Sequence, residues 1–415
     1  NSDAIQATWE YLYKVIVLSN QSLEILGELR QKTDYNDLDR YEAEVRAFRA
    51  MYYYYLVDMF GRVPLIVSSS IPVKDVRQSD RKEVFDFVVK ELQESLLLLS
   101  TAHSNSPGDY YGRITRPVVY FLLAKLALNA EVFTDNDWTD GLRPNGREIY
   151  FRVGERKLNA WQTVVAYCDS ITDLNYSLSP NYADNFSVFN ESSGENIFTI
   201  PMDKNLYTNQ MQNGSCATIE TLRVFAYGTD SVDTRFYENY YADTMFDLNG
   251  DTIRLDNGTP LVYLPLEVRL DLSRLPAEKT AGARMKKYEI DKMGTKDGKL
   301  SDNDIVLFRY ADVLLMRSEA KVRNGENGDE ELNAVRFRVG MLPRKATLEN
   351  ILAERQLELA WEGWRRQDLV RFGKFTRPYT DRPQLPHESN GYTTVFPIPD
   401  KVRSLNPNLT QNPGY

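Results

Sequence analysis

Residues 351–375 read ILAERQLELAWEGWRRQDLVRFGKF. Glu354, Glu358 and Glu362 recur at every fourth position, with Arg355, Arg365, Arg366, Asp368 and Arg371 around them. On a helix this spacing sets the three carboxylates along one face. Like charges at i,i+4 oppose each other by about 0.2–0.5 kcal/mol per pair, so the pattern calls for basic partners. Locally, Arg355 reaches Glu358, and Arg365 or Arg366 reaches Glu362. Distant candidates are Arg46 and Arg49, or Arg309 and Arg317. A glycosidase-like pair would have to flank a sugar bond, about 5–10 Å apart, and face a cleft. Carboxylates in an arginine-dense helix have lowered pKa values and suit ion pairing better than acid catalysis. The expectation is a structural ion-pair network of all eight charged residues, with Trp361 and Trp364 in the core.

Working outward, helical periodicity marks 4–31, 38–60, 81–99, 115–133, 157–173, 305–323 and 329–339. Gly61 and Pro64 stop the second of these, Ser79 or Asp80 caps the third, and Pro117 sits in the first turn of the fourth. The helices pair in sequence: 38–60 with 81–99, 115–133 with 157–173, 305–323 with 329–339. Stacked antiparallel pairs form solenoid-like scaffolds. Residues 174–303 differ, being rich in Asn, Asp, Gly, Tyr and Thr, with short apolar pieces such as ENIFTI and TPLVYL. They predict an irregular insert with a few short strands. The whole reads as a mainly α chain: helical scaffold over 1–173 and 304–375, loop-rich ligand-face insert over 174–303, ordered tail over 376–415.

Composition narrows the function. The 415 residues are 42% hydrophobic and 26% charged, as in a globular protein with a sizeable core. With 59 acidic against 50 basic residues, the net charge of −9 disfavours nucleic acid and anionic membrane surfaces as partners. The two cysteines, Cys168 and Cys216, form no CxxC pair, and the two histidines, His103 and His387, lie far from any nucleophile motif. No apolar run reaches the roughly 18–20 residues that span a bilayer. The chain opens at Asn1 without a signal-like segment, and reads as processed or trimmed.

The 26 tyrosines and 5 tryptophans suit a wet recognition surface. Sugar rings stack their CH faces on aromatics, while their hydroxyls need planar polar partners. LYTNQMQNGS (206–215) followed by ETLRVFAYG (220–228) has that mix, which makes Tyr207, Asn209, Gln210, Arg223, Phe225 and Tyr227 the first ligand-binding candidates. Trp138, in an exposed loop NDWTDG (136–141), is the next, followed by GDYYGR (108–113). DLNGDTIRLDNG (247–258) carries oxygen ligands that would suit a structural calcium ion, without EF-hand spacing. No cofactor is expected.

Four blocks then resemble the SusD/RagB family in its own order. They are EAEVRAFRAMYYYYLVDMFGRVPLI (42–66), GRITRPVVYFLLAKLALNAEVF (112–133), DIVLFRYADVLLMRSEAKVRNG (304–325) and ERQLELAWEGWRRQDLVRFGKF (354–375). The end, FPIPDKVRSLNPNLTQNPGY, is similar to the family's usual C-terminus. The resemblance implies a tetratricopeptide-like α-α superhelical scaffold with an irregular ligand face, and no catalysis. It implies a surface-exposed lipoprotein of the cell outer membrane that captures oligosaccharides for a SusC-like TonB-dependent transporter. The lipid anchor is inferred, because the family carries it ahead of the segment matched by 8–26. Alternatives are peptide binding on the same scaffold, a glycoside hydrolase using the paired glutamates, and a cytosolic helical-repeat adaptor.

Overall fold

The structure is a computed structural model that describes residues 3–205, 233–247, 249–263, 284–294, 301–378 and 383–415. It divides into two compact units, Asn1–Ser104 with Arg113–Asn175 and Arg366–Tyr415, and Asn105–Gly112 with Tyr176–Arg365.

The first unit opens with α1 (Asp3–Arg30) and α2 (Leu38–Phe60), packed along their lengths. The apolar stripe of α1 buries Trp9, Leu12 and Ile16. At the end of α2, Gly61 has φ 69°, a left-handed conformation that spares glycine a Cβ clash. Next, α3 (Arg81–Ser95) packs on α2, and Arg49 of α2 is gripped by Glu91 of α3 and donates to Asn20 at 2.8 Å. The predicted 81–99 helix ends early, in a tighter turn over Leu96–Leu98.

The 115–133 pattern becomes α4 (Arg116–Leu128) and a single turn α5 (Ala130–Phe133), broken at Asn129. Apolar apart from Arg116 and Lys125, α4 is buried on nearly every side. It pairs with α6 (Ala160–Thr172), as the sequence predicts. Residues 157–159 are not helical. They close a hairpin of β1 (Tyr150–Val153) and β2 (Arg156–Asn159), and Asn159 then caps α6 in a reciprocal capping box with Gln162.

In the second unit, β3 (Asn196–Ile200) lies in an irregular segment that stays buried because side chains satisfy its backbone. Asn190 Nδ2 donates to the carbonyls of Asn185 and Asp304, both at 2.9 Å, and Asn196 Nδ2 donates to that of Asn185 at 3.1 Å. The short helix α7 (Arg235–Asn239) leads into two-residue strands β4 (Tyr240–Tyr241) and β5 (Asp243–Thr244), which pair with β7 (Arg284–Met285) and β6 (Val262–Tyr263). The predicted helix at 305–323 begins five residues late. Its first part is β8 (Ile305–Arg309), antiparallel to β3 from Asn196↔Arg309 to Ile200↔Ile305.

Three helices follow, α8 (Tyr310–Asn324), α9 (Asp329–Arg338) and α10 (Leu348–Glu358), with α8 packed on both others. Gly325, at φ 87°, caps α8 in the left-handed conformation.

The 351–375 stretch is not one helix. It breaks after α10 in a turn where Trp361 has φ 67° and Gly363 φ 81°. It then resumes as α11 (Arg365–Arg371), which belongs to the first unit from Arg366 onward, followed by α12 (Asp400–Leu405). Among the described residues no helix is long and apolar enough to cross a membrane.

Candidate functional site

The glutamates of the opening stretch lead into a buried charge cluster in the second unit. Glu358, at the end of α10, accepts from Arg309 (2.6 Å), Arg235 (2.9 Å) and Arg338. Glu354 pairs with Arg336 at 2.6 Å and Arg235 at 2.7 Å. Glu362 receives the Arg309 fork, with Nε and Nη2 both at 2.8 Å, and the ammonium of Lys287 at 2.5 Å. Glu195, beside β3, joins through Arg309 at 2.8 Å and Arg338 at 2.6 Å. None of these side chains is more than 3% exposed.

Burial pushes the Glu358 carboxyl up, but Arg338, Arg309 and Arg235 outweigh it and hold the group well below the usual carboxylate range. Burial also pulls Lys287 down, to about 8, against the attraction of Glu362. A carboxylate held ionised by three arginines cannot serve as a general acid. Glu362 lies beyond the helix end, so it reaches this cluster through the turn and not along a common helix face.

The partners differ from the local ones the spacing suggested. Arg355 donates to Asp312 of α8 at 2.7 Å, and Arg365 donates to Gln356 at 2.6 Å and to the Leu352 carbonyl at 3.1 Å. In the first unit, Arg366 meets Asp58 at 2.5 Å, while Asp368 pairs with Arg371 at 2.8 Å. Of the distant arginines, Arg309 joins the cluster. Arg46 pairs with Glu94 at 3.2 Å, Arg49 with Glu91, and Arg317 with Glu331 at 3.3 Å. Arg235 and Lys287 fall in the irregular insert, where helical spacing gives no signal for them. Trp364 packs against Phe308, and Trp361 against the Phe236–Tyr240–Leu357 cluster.

Tyr207, Asn209, Gln210, Arg223, Phe225 and Tyr227 lie outside the described residues. The NDWTDG loop is exposed at Asn136, Asp137, Asp140 and Gly141, but Trp138 itself is not. It is 8% exposed, with the Arg81 guanidinium 5.2 Å from its ring centroid. Its ring packs so close to Gly61 that a Cβ there would meet it at 2.9 Å. The loop is polar, but its aromatic turns inward because arginine and glycine make room for it.

The GDYYGR turn is anchored too. Tyr111 donates to Asp304 at 2.5 Å in the second unit, and Arg113 forks onto Glu44 at 2.8 Å in the first. In the 247–258 segment, Asp247 accepts from the Asn249 and Asp251 amides at 2.8 and 3.0 Å. Among the described residues no three His, Cys, Asp or Glu side chains group as a metal site.

One groove carried no sequence signal. A groove of about 630 Å³ in the first unit is lined by residues of α3 and β1, among them Lys90, Gln93, Tyr150 and Arg152. Tyr150 is 55% exposed, with Lys157 Nζ 4.5 Å from its ring centroid. An alternating YFRV strand is ordinary in sequence, so only the fold gathers these groups.

The chain matches the SusD family model over residues 169–415 and a second model, described as "Starch-binding associating with outer membrane", over residues 1–128. It belongs to the SusD family, and its mainly helical, tetratricopeptide-like fold is that family's fold. Among curated proteins it is 25% identical to the starch-binding protein SusD of Bacteroides thetaiotaomicron, over 94% of this chain and 75% of that protein. It is also 25% identical to the SusD-like protein P25 of Formosa agariphila, over 99% of this chain and 80% of that one. Among solved structures, a laminarin-binding SusD-like protein superposes with a TM-score of 0.70 at 22% identity, covering 99% of this chain and 86% of the other. Surface glycan-binding protein A of Bacteroides thetaiotaomicron, in complex with laminarihexaose, superposes with a TM-score of 0.69 at 21% identity, covering 98% and 85%.

Proposed function

We propose that this chain is a non-catalytic, surface-exposed glycan-binding lipoprotein of the outer membrane that captures oligosaccharides and passes them to a SusC-like TonB-dependent transporter. The observation that carries the reading is the family match across both ends of the chain, joined to starch- and laminarihexaose-binding relatives. Burial of Glu354 and Glu358 under arginines supports binding without hydrolysis. The aromatic and amide-rich run from Tyr207 to Tyr227 has the side chains a sugar chain needs. The Tyr150 groove is the second place such a chain would lie.

Affinity electrophoresis against plant, host and microbial polysaccharides tests the reading. Retardation by one glycan, lost in Tyr207→Ala or Arg223→Ala, is the expected result. Loss in Tyr150→Ala alone would move the site to the groove. Release of labelled sugar products would overturn the non-catalytic part. No retardation by any glycan, with binding of cationic peptides by this acidic chain, would replace the ligand class.

A further inference from the structure

The first unit buries a charge that no described carboxylate meets at ion-pair distance. Arg81, the first residue of α3, is 1% exposed. Its guanidinium lies over two rings, 5.5 Å from the Phe133 centroid and 5.2 Å from that of Trp138. Among the described residues it makes no hydrogen bond and no ion pair. The other large buried arginines behave differently: Arg235, Arg309, Arg336 and Arg355 all grip carboxylates. The indole N–H of Trp138 is likewise buried without an acceptor. Asp58, which Arg366 already holds, and Asp135 attract the Arg81 guanidinium only from beyond ion-pair distance. A buried guanidinium without a direct counter-ion is unfavourable, and a buried N–H without an acceptor adds to the cost.

Arg81 and Trp138 line one cavity of about 350 Å³, together with Asp135, Arg143, Thr376 and Asn390. Arg143 donates to the Arg371 and Val370 carbonyls at 3.0 and 3.2 Å, so its charge stays in the lining without closing on Arg81. Asp135 accepts from the Asp137 amide at 3.1 Å and makes no ion pair with Arg81. Among the described residues, two arginines against one aspartate leave the lining one charge positive. A monoanion balances that, whereas a dianionic phosphate would overshoot. The volume lies at the small end of ligand pockets, about 300–1,000 Å³, which suits one sugar-sized ring better than a polymer.

We propose that this cavity takes a single carboxylate group, held by the Arg81 fork. Two sources fit: the terminal uronate of an acidic oligosaccharide, or a free small carboxylate. The first rests on the glycan-binding reading above; the second does not.

The test is calorimetric titration and thermal shift of the intact chain with glucuronate, glucose and acetate. Glucuronate is expected to bind and raise Tm, with glucose at least tenfold weaker. Arg81→Met is expected to lose at least tenfold in glucuronate affinity while keeping the native Tm, because it removes an unpaired buried charge and fills its space. Asp135→Asn should tighten binding several-fold, the sign a merely structural role for these residues would not give. Acetate binding as well as glucuronate, with the same dependence on Arg81, supports the site and assigns it to small carboxylates in general. Equal binding of glucose and glucuronate, or glucuronate binding unchanged in Arg81→Met, overturns the proposal. Neutral-polysaccharide retardation should persist in Arg81→Met, so failure of this site and failure of the glycan reading are read separately.

Discussion

At the scale of single residues, the Glu358 carboxylate decides most. Three arginines converge on it, and Arg309 shares itself among Glu195, Glu358 and Glu362. Removing one partner of such a set leaves uncompensated charge in a dry interior. Glu358→Gln is therefore expected to destabilise the protein by about 3–5 kcal/mol, measurable by urea denaturation at neutral pH. The carboxyl's folded pKa is depressed, so its contribution is present above the unfolded value, about 4.3, and is lost as pH falls through the folded one. The stability difference between wild type and Glu358→Gln should accordingly shrink as the pH falls below about 4. A difference that stays constant into acid would mean that the carboxylate is not held ionised by its arginines. That these glutamates pair with arginines was legible, because the charge pattern has no other economical reading. Their partners were not, since Arg235 and Lys287 come from a region without periodicity.

At the scale of elements, periodicity located the helices and paired them, but missed where they break. The 351–375 run keeps its spacing through a turn in which Trp361 takes a positive φ, and periodicity counts residues without seeing φ. The same blindness hid the β-strand at the front of 305–323, because a buried apolar run reads alike as helix or strand. Local caps give sharper expectations. Asn159→Ala removes the reciprocal cap of α6 and should cost about 1 kcal/mol, seen as a lowered urea midpoint with an unchanged slope. Gly146→Ala places a Cβ 2.2 Å from Trp161, a buried ring on the first turn of α6. Overpacking of this kind costs about 1–3 kcal/mol. A Gly146→Ala midpoint equal to wild type would show that the ring yields freely.

For the whole molecule, family blocks spread along the chain made the fold readable, whereas the binding face was readable only as a composition of aromatics and amides. Composition does not say which way a side chain points. Trp138 has acidic, polar neighbours in sequence and is nevertheless buried beneath Arg81. If the 207–227 residues form the ligand face, Tyr207→Ala and Phe225→Ala should abolish glycan retardation with less than a degree or two of change in Tm. A large drop in Tm would make them packing residues instead.

The pairing of β3 with β8 has a consequence for how such a protein diversifies. The chain departs at Ile200 and comes back at Ile305, and those two residues face each other across the ladder, with Glu195 and Arg309 clamped just behind. Everything between them is a detour whose two ends are stapled together at the exit. Sequence can be exchanged, lengthened or shortened inside that detour wherever Arg235 and Lys287 keep their grip on the glutamates, while the staple keeps its register. New ligand preferences can then be auditioned without renegotiating the helices beneath.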